Sequence, residues 1–142
     1  MNGFLLDTNI ISELLKPRPE PKVTRWIDSV DESLLYLSVL TLGEIEKGIA
    51  RLPHAKERQR LQMWVETELR PRFAERVLPV SEAVARRWGQ LAGDLEARAR
   101  IVVPVIDGLL AATALVHDLQ LVTRNSKDVA RTGASVFNPW ED

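Results

Sequence analysis

The sequence predicts an α/β fold, an α/β/α sandwich with a short-stranded, mainly parallel central sheet flanked by helices. Three observations predict it. Short apolar runs of strand length (GFLL, LLYLS, RVLPV, QLVTR, ASVFNP) alternate with stretches of helical spacing, the pattern of a parallel sheet with helical crossovers. The runs are short and apolar, which fits strands covered on both faces. Acids recur where a run gives way to a helix, at Asp7, Glu44 and Asp107.

The elements follow in order. GFLL is a buried strand, DTNIISELLK a helix, and PRPEP its stop. Val23, Trp26, Ile27 and Val30 recur at helical spacing, so Lys22 to Val30 is a helix. After LLYLS, Ser38 and Thr41 can each cap a helix running through Glu44 to Arg51, ended by Pro53. Ala55 to Leu69 is a charged helix with Leu61, Trp64, Val65 and Leu69 on one face, ended by RPR. RVLPV is the third strand. Ser81 caps a long helix to about Ala99, with Val84, Trp88, Leu91 and Leu95 inward. Ile101 to Val105 is an apolar entry segment. Ile106 to His117 is nearly all apolar and predicts a helix buried on most sides. QLVTR is the fourth strand, Ser126 to Arg131 a short turn or helix, and ASVFNP the last strand, ended by Pro139.

With 142 residues and no long linker, residues 1–142 are expected to form a single domain. A chain this size buries roughly 68–70% of its unfolded surface and needs no covalent staple. It contains no cysteine, which excludes disulfides, zinc–thiolate sites, iron–sulfur clusters and a thiol nucleophile. Two histidines, His54 and His117, make a multi-histidine metal site implausible. No signal-like segment or apolar run of about 20 residues is visible, so a cytoplasmic protein without membrane attachment is expected. The net charge of −1 excludes a strongly basic coat for nucleic acid but not a local basic patch.

In an open α/β sheet, ligands bind beyond the carboxyl ends of the strands. Asp7, Glu44 and Asp107 are predicted to meet there, with Asn125 after the fourth strand as a further polar position. Each has an ordinary structural reading. Asp7 can cap the helix that starts at Thr8. Thr41-Leu-Gly-Glu44 fits a capping box, with Glu44 reaching back to Thr41. Asp107 can complement a helix dipole, and Asn125 can serve a turn. Together they suggest more. Asp107 heads an apolar helix with no Lys or Arg within four residues, and converging carboxylates are stable when a cation shares them. Oxygen-only ligands suit Mg²⁺ or Mn²⁺ rather than zinc.

LLDTNIISELLKP (Leu5–Pro17), LSVLTLGEIEKGI (Leu37–Ile49), DGLLAATAL (Asp107–Leu115), LVTRN (Leu121–Asn125) and the ending VFNPWED resemble PIN-domain ribonucleases. Within these the chain is most similar to the VapC toxin family and its FitB-like branch, from Gly3 to the C-terminus. The resemblance implies a PIN-like sandwich and a metal-dependent endoribonuclease that acts as the toxin of a toxin–antitoxin pair. It implies a Mg²⁺ (or Mn²⁺) cofactor and an RNA substrate. It further implies a cognate VapB/FitA-like antitoxin, operator DNA bound only through the antitoxin complex, and a homodimer. By position, Asp7, Glu44 and Asp107 match the three core acids and would be the metal ligands. Asn125 matches a fourth position that is often Asp, with Asp128 as a possible substitute. Thr8 and Asn9 complete a DTN motif and would orient Asp7.

Basic groups should rim an acidic pocket that takes RNA, and the candidates are Lys16, Arg18, Lys47, Arg51 and Arg124. The mixed-sign run His54 to Arg60 reads as a solvated helix face. Trp64 and Trp88 continue apolar stripes and read as core or dimer packing. A receiver domain would want an adjacent acidic pair and a late lysine, and a haloacid-dehalogenase-type phosphatase would want D-x-D-x-T where this chain has Asp7-Thr8-Asn9. The remaining alternative is a non-catalytic PIN-like RNA- or protein-binding module.

Overall fold

The computed structural model describes residues 1–141; Asp142, the last residue of the expected domain, lies outside the described residues. Its elements are β1 (Phe4–Leu6), α1 (Thr8–Leu14), α2 (Pro21–Ser29), a 3-10 turn (Glu32–Leu34), β2 (Leu35–Ser38), α3 (Val39–Ala50) and α4 (Ala55–Trp64). A π-helical turn (Val65–Leu69) leads into α5 (Arg70–Arg72). Then come β3 (Val77–Leu78), α6 (Glu82–Ala99), α7 (Val105–His117), β4 (Gln120–Val122), α8 (Ser126–Ala130) and β5 (Val136–Phe137).

The five strands form one sheet in the order β3-β2-β1-β4-β5, with every neighbouring pair parallel. The chain builds outward from β1 to β2 and β3, then returns to add β4 and β5 on the other side. β1 and β4 therefore flank the point where the winding reverses, the place where open α/β sheets bind ligands.

Successive strand side chains point to opposite faces, so each strand feeds two cores. Leu6, Leu35, Leu37 and Val122 pack on one face with Ile10, Ile11, Ile27, Leu69 and Phe73. Leu5 and Leu121 pack on the other with Leu110, Ala111 and Ala114 of α7, and with Val129 of α8. α6 covers the outside of α7 through Val84, Leu91 and Ala92 against Ala112. Trp26 lies between Phe4 (edge-on, 5.2 Å) and Phe137 (5.3 Å), and Trp64 packs on the first core.

Several boundaries differ from the sequence reading. The helix after Ala55 does not stop at RPR. Pro71 lacks an amide proton. The widened turn, in which Arg70 N–H reaches back to Val65 C=O, lets the helix pass Pro71 and bury Phe73 completely. The strand in RVLPV is only Val77–Leu78, because Pro79 cannot extend the ladder. The strand in QLVTR stops at Val122, where Thr123 and Arg124 turn toward α1. Ile101 to Pro104, the expected apolar entry segment, forms a loop, and α7 starts at Val105. α6 and α7 form a hairpin stacked on the sheet, so this connection meets no strand edge.

Candidate active site

Asp7 follows β1 directly. Its backbone is extended (φ −71°, ψ 160°), and its Oδ1 accepts the Thr8 N–H at 2.6 Å, so it does cap α1. Capping occupies one oxygen only. Oδ2 accepts the Thr123 hydroxyl at 2.7 Å, from the residue after β4. Thr123 is fully buried, and its Oγ1 in turn accepts the Asn125 backbone N–H at 3.1 Å. The Asn9 amide lies against both Asp7 Oδ2 and Thr123 Oγ1, at 3.5 and 3.4 Å. The two central strands are thus tied across the winding reversal by one buried carboxylate. Thr123 was not singled out from the sequence. The usable signal was its place in LVTRN, directly after a strand and two residues before Asn125.

Glu44 does not close a capping box. Ser38 caps α3, accepting the Leu40 N–H at 3.0 Å, and the helix starts at Val39 rather than at Thr41. Thr41 is buried inside the helix. Glu44 therefore sits in the second turn, and its Oε1 accepts the Thr8 hydroxyl at 2.5 Å. Thr8 thus aligns two acids at once, Asp7 through its amide and Glu44 through its hydroxyl.

Asp107 lies in the first turn of α7. It follows not a strand but a loop that leaves α6 through Arg100 in a left-handed conformation (φ 56°). The turn is set by a close approach: a Cβ on Gly108 would stand 2.9 Å from Trp88 Cδ1. Only glycine lets the α6 indole lie against the head of α7. Asp107, Asp128 and Arg131 line a cavity of about 230 Å³ with Ile101, Val103 and Val129. A larger groove of about 510 Å³ runs between α1 and the π-helical turn, and none of the three acids lines it.

The electrostatics show that the acids share one field. The Asp7 carboxyl is raised above the usual range, first by burial and then by Asp107 and Glu44. Its bonds from Thr123 and Thr8 work in the opposite sense. The Asp107 carboxyl is also raised, by burial, then by Glu44, then by Asp128. Among the described residues, no ion pair links Asp7, Glu44 or Asp107 to a basic side chain. The arrangement concentrates negative charge, and Arg131, which lines the cavity with Asp107 and Asp128, forms no ion pair with either.

Asn125 stands at the N-cap of α8, exposed, and its side chain makes no cap bond. It contributes its backbone N–H to Thr123, whereas Asp128 is the residue of this turn that Asp107 feels. Of the expected basic rim, Lys16 is tied to Glu13 at 2.9 Å. Arg18, Lys47, Arg51 and Arg124 are exposed.

The donor set tests whether a divalent ion fits. All candidate ligands are oxygens, and burial raises the Asp7 and Asp107 carboxyls, each of which also feels Glu44. Each feature suits Mg²⁺ or Mn²⁺. Among the described residues no group of three or more acids or histidines is arranged to hold a metal ion. Mg²⁺ does not require one, since it keeps several waters and binds through one or two carboxylates.

The PIN domain family model matches residues 4–134. Toxin FitB of Neisseria gonorrhoeae is 38% identical over 139 residues, spanning 98% of this chain and 99% of that protein. VapC ribonuclease Y4jK of Sinorhizobium fredii is 36% identical over 138 residues, 97% of this chain and 98% of its own. The structure of FitAB bound to an IR36 DNA fragment superposes with a TM-score of 0.90 at 36% identity, covering 96% of this chain and 95% of the other. The parallel sheet flanked by helices matches the fold of these relatives, and the chain belongs to the PIN domain family.

Proposed function

We propose that this protein is a Mg²⁺- or Mn²⁺-dependent endoribonuclease, the toxin of a toxin–antitoxin pair, acting in the cytoplasm as a homodimer. The observation that carries the reading is that Thr8 hydrogen-bonds both Asp7 and Glu44, with Asp107 near enough to raise the Asp7 carboxyl and no ion pair on any of the three. The names of two relatives over nearly the whole chain, a toxin and a ribonuclease, support it. The FitAB–DNA structure supports a small antitoxin partner through which operator DNA is bound. Among the described residues no helix is long and apolar enough to cross a membrane.

Asp7 and Asp107 would hold the ion, with Glu44 beside it directly or through water. When bound, the ion lowers the pKa of a water and stabilises charge on the phosphodiester oxygens. The chain supplies geometry. Thr8 and Thr123 fix both Asp7 oxygens, so the carboxylate does not reorganise when substrate arrives. The Thr8 hydroxyl turns Glu44 toward the same point, where its free oxygen can orient the attacking water and accept its proton. No histidine stands among these groups, so acid–base work falls to the carboxylates.

The test is cleavage of structured RNA by purified protein with Mn²⁺ or EDTA, beside Asp7→Asn. Cleavage by the parent with Mn²⁺ only, and none by the variant, is expected. Equal cleavage by both proteins, or indifference to EDTA, would overturn the reading. Absence of cleavage with tight binding to a small partner would favour a non-catalytic binding module.

A further inference from the structure

We infer that Arg124, stacked on the Trp140 ring and one residue from the Thr123 that bonds Asp7, is a substrate-binding residue that grips a backbone phosphate of RNA next to the bond being cut. The inference rests on the nuclease reading above and deepens it.

Arg124 is exposed, yet it is fixed at three points. Its backbone N–H donates to Asn9 Oδ1 at 3.4 Å, and its C=O accepts from Asn138 Nδ2 at 3.2 Å. Its guanidinium carbon lies 5.1 Å from the centre of the Trp140 ring. Trp140 is itself held, packing on the first core while its backbone N–H donates to Asn138 Oδ1 at 2.9 Å. Four exposed arginines, Arg60, Arg72, Arg86 and Arg98, spend their charge on a neighbouring acid. Arg72 and Arg76 also lie over an aromatic ring, that of Phe73, but both pair with Glu32. Among the described residues Arg124 forms no ion pair.

Its position gives that charge a use. Arg124 lies between Thr123, whose hydroxyl touches Asp7, and Asn125 at the head of α8. RNA approaching three carboxylates needs a cation near its phosphates, and a guanidinium offers a planar fork that matches a phosphate bidentately. The stack fixes the side chain beforehand, which lowers the ordering cost on binding. Lys16 cannot substitute, since Glu13 holds it.

The experiment titrates a labelled single-stranded RNA into the full-length Asp7→Asn protein, which keeps the surface but cannot cut, over a range of salt. Adding Arg124→Ala should weaken binding about tenfold and reduce the slope of log affinity against log salt by about 0.7, the loss of one phosphate contact on a single strand. Arg124→Lys should restore the slope but only part of the affinity. In otherwise unchanged protein, Arg124→Ala should raise KM with kcat little altered. If Arg124→Ala leaves both affinity and slope unchanged while the Asp7→Asn protein binds RNA, the assignment of Arg124 is wrong and the nuclease reading stands. If the Asp7→Asn protein binds no RNA at any salt, both are overturned.

Discussion

Thr123 bridges the two central strands, and its bond to Asp7 can be weighed. A hydrogen bond to a buried carboxylate is worth about 1.5–3 kcal/mol, against about 0.5–1.5 for a neutral pair. Thr123→Val keeps the shape and removes the hydroxyl, so metal-free protein at neutral pH should lose about 1.5–3 kcal/mol, roughly 5–10 °C in Tm. Asp7→Asn removes the charge, after which the same Thr123→Val change should cost about 1 kcal/mol less. Urea denaturation of the parent, the two single variants and the double variant measures that coupling. The pH dependence has a fixed sign. Asp7 is raised in the folded state, so its charged form opposes folding at neutral pH, and stability from this group grows as pH falls through the raised value. The Thr123→Val deficit should therefore shrink on acidification in the parent and stay flat in the Asp7→Asn background. Thr123→Ser should retain most of the coupling. Additivity within about 0.3–0.5 kcal/mol would refute the reasoning, leaving Thr123 as packing and an acceptor for Asn125 alone.

Other outcomes follow from the same geometry. Mn²⁺ at about a hundred times its dissociation constant should stabilise the protein by about 2.7 kcal/mol, seen as a rise in Tm that EDTA reverses and that Asp7→Asn or Asp107→Asn abolishes. Glu13 is buried and held low by Lys16, then by the Glu20 backbone N–H at 2.9 Å. Its contribution is present above the ordinary glutamate value near ~4.3 and is lost as pH falls through its lower folded value. Glu13→Gln should cost about 1–2 kcal/mol at pH 7, with the gap from the parent closing toward acid in a urea series. Gly108→Ala gains about 1 kcal/mol of helix preference but forces a methyl onto Trp88, an overpacking cost of about 1–3 kcal/mol. A net loss of up to about 2 kcal/mol and a shifted indole fluorescence are expected, and a more stable protein would show that the contact relaxes freely.

The sheet was legible because periodicity is a local property of sequence. Asp7 does follow β1 directly, whereas Asp107 follows a loop and Glu44 lies in the second turn of α3; both are near enough to raise the Asp7 carboxyl. What escaped the sequence was tertiary. Thr41 looked like a cap because the start of α3 depended on which of two hydroxyls reached an open amide, and Ser38 did. The passage of a helix through Pro71 depends on a widened turn that only the burial of Phe73 explains. Thr123 needed the β1–β4 pairing before its partner could be known.

β1 is only three residues long, and at its far end Gly3 sits with φ 148°, where an added Cβ would meet Leu34 C=O at 2.5 Å. A longer strand could bend and absorb such an insult along its length. Here Gly3 and Asp7, which flank the strand, are only about 13 Å apart, at roughly 3.3 Å per residue. A side chain forced in at Gly3 would be felt at Asp7, so the back rim of the sheet is as closely machined as the front.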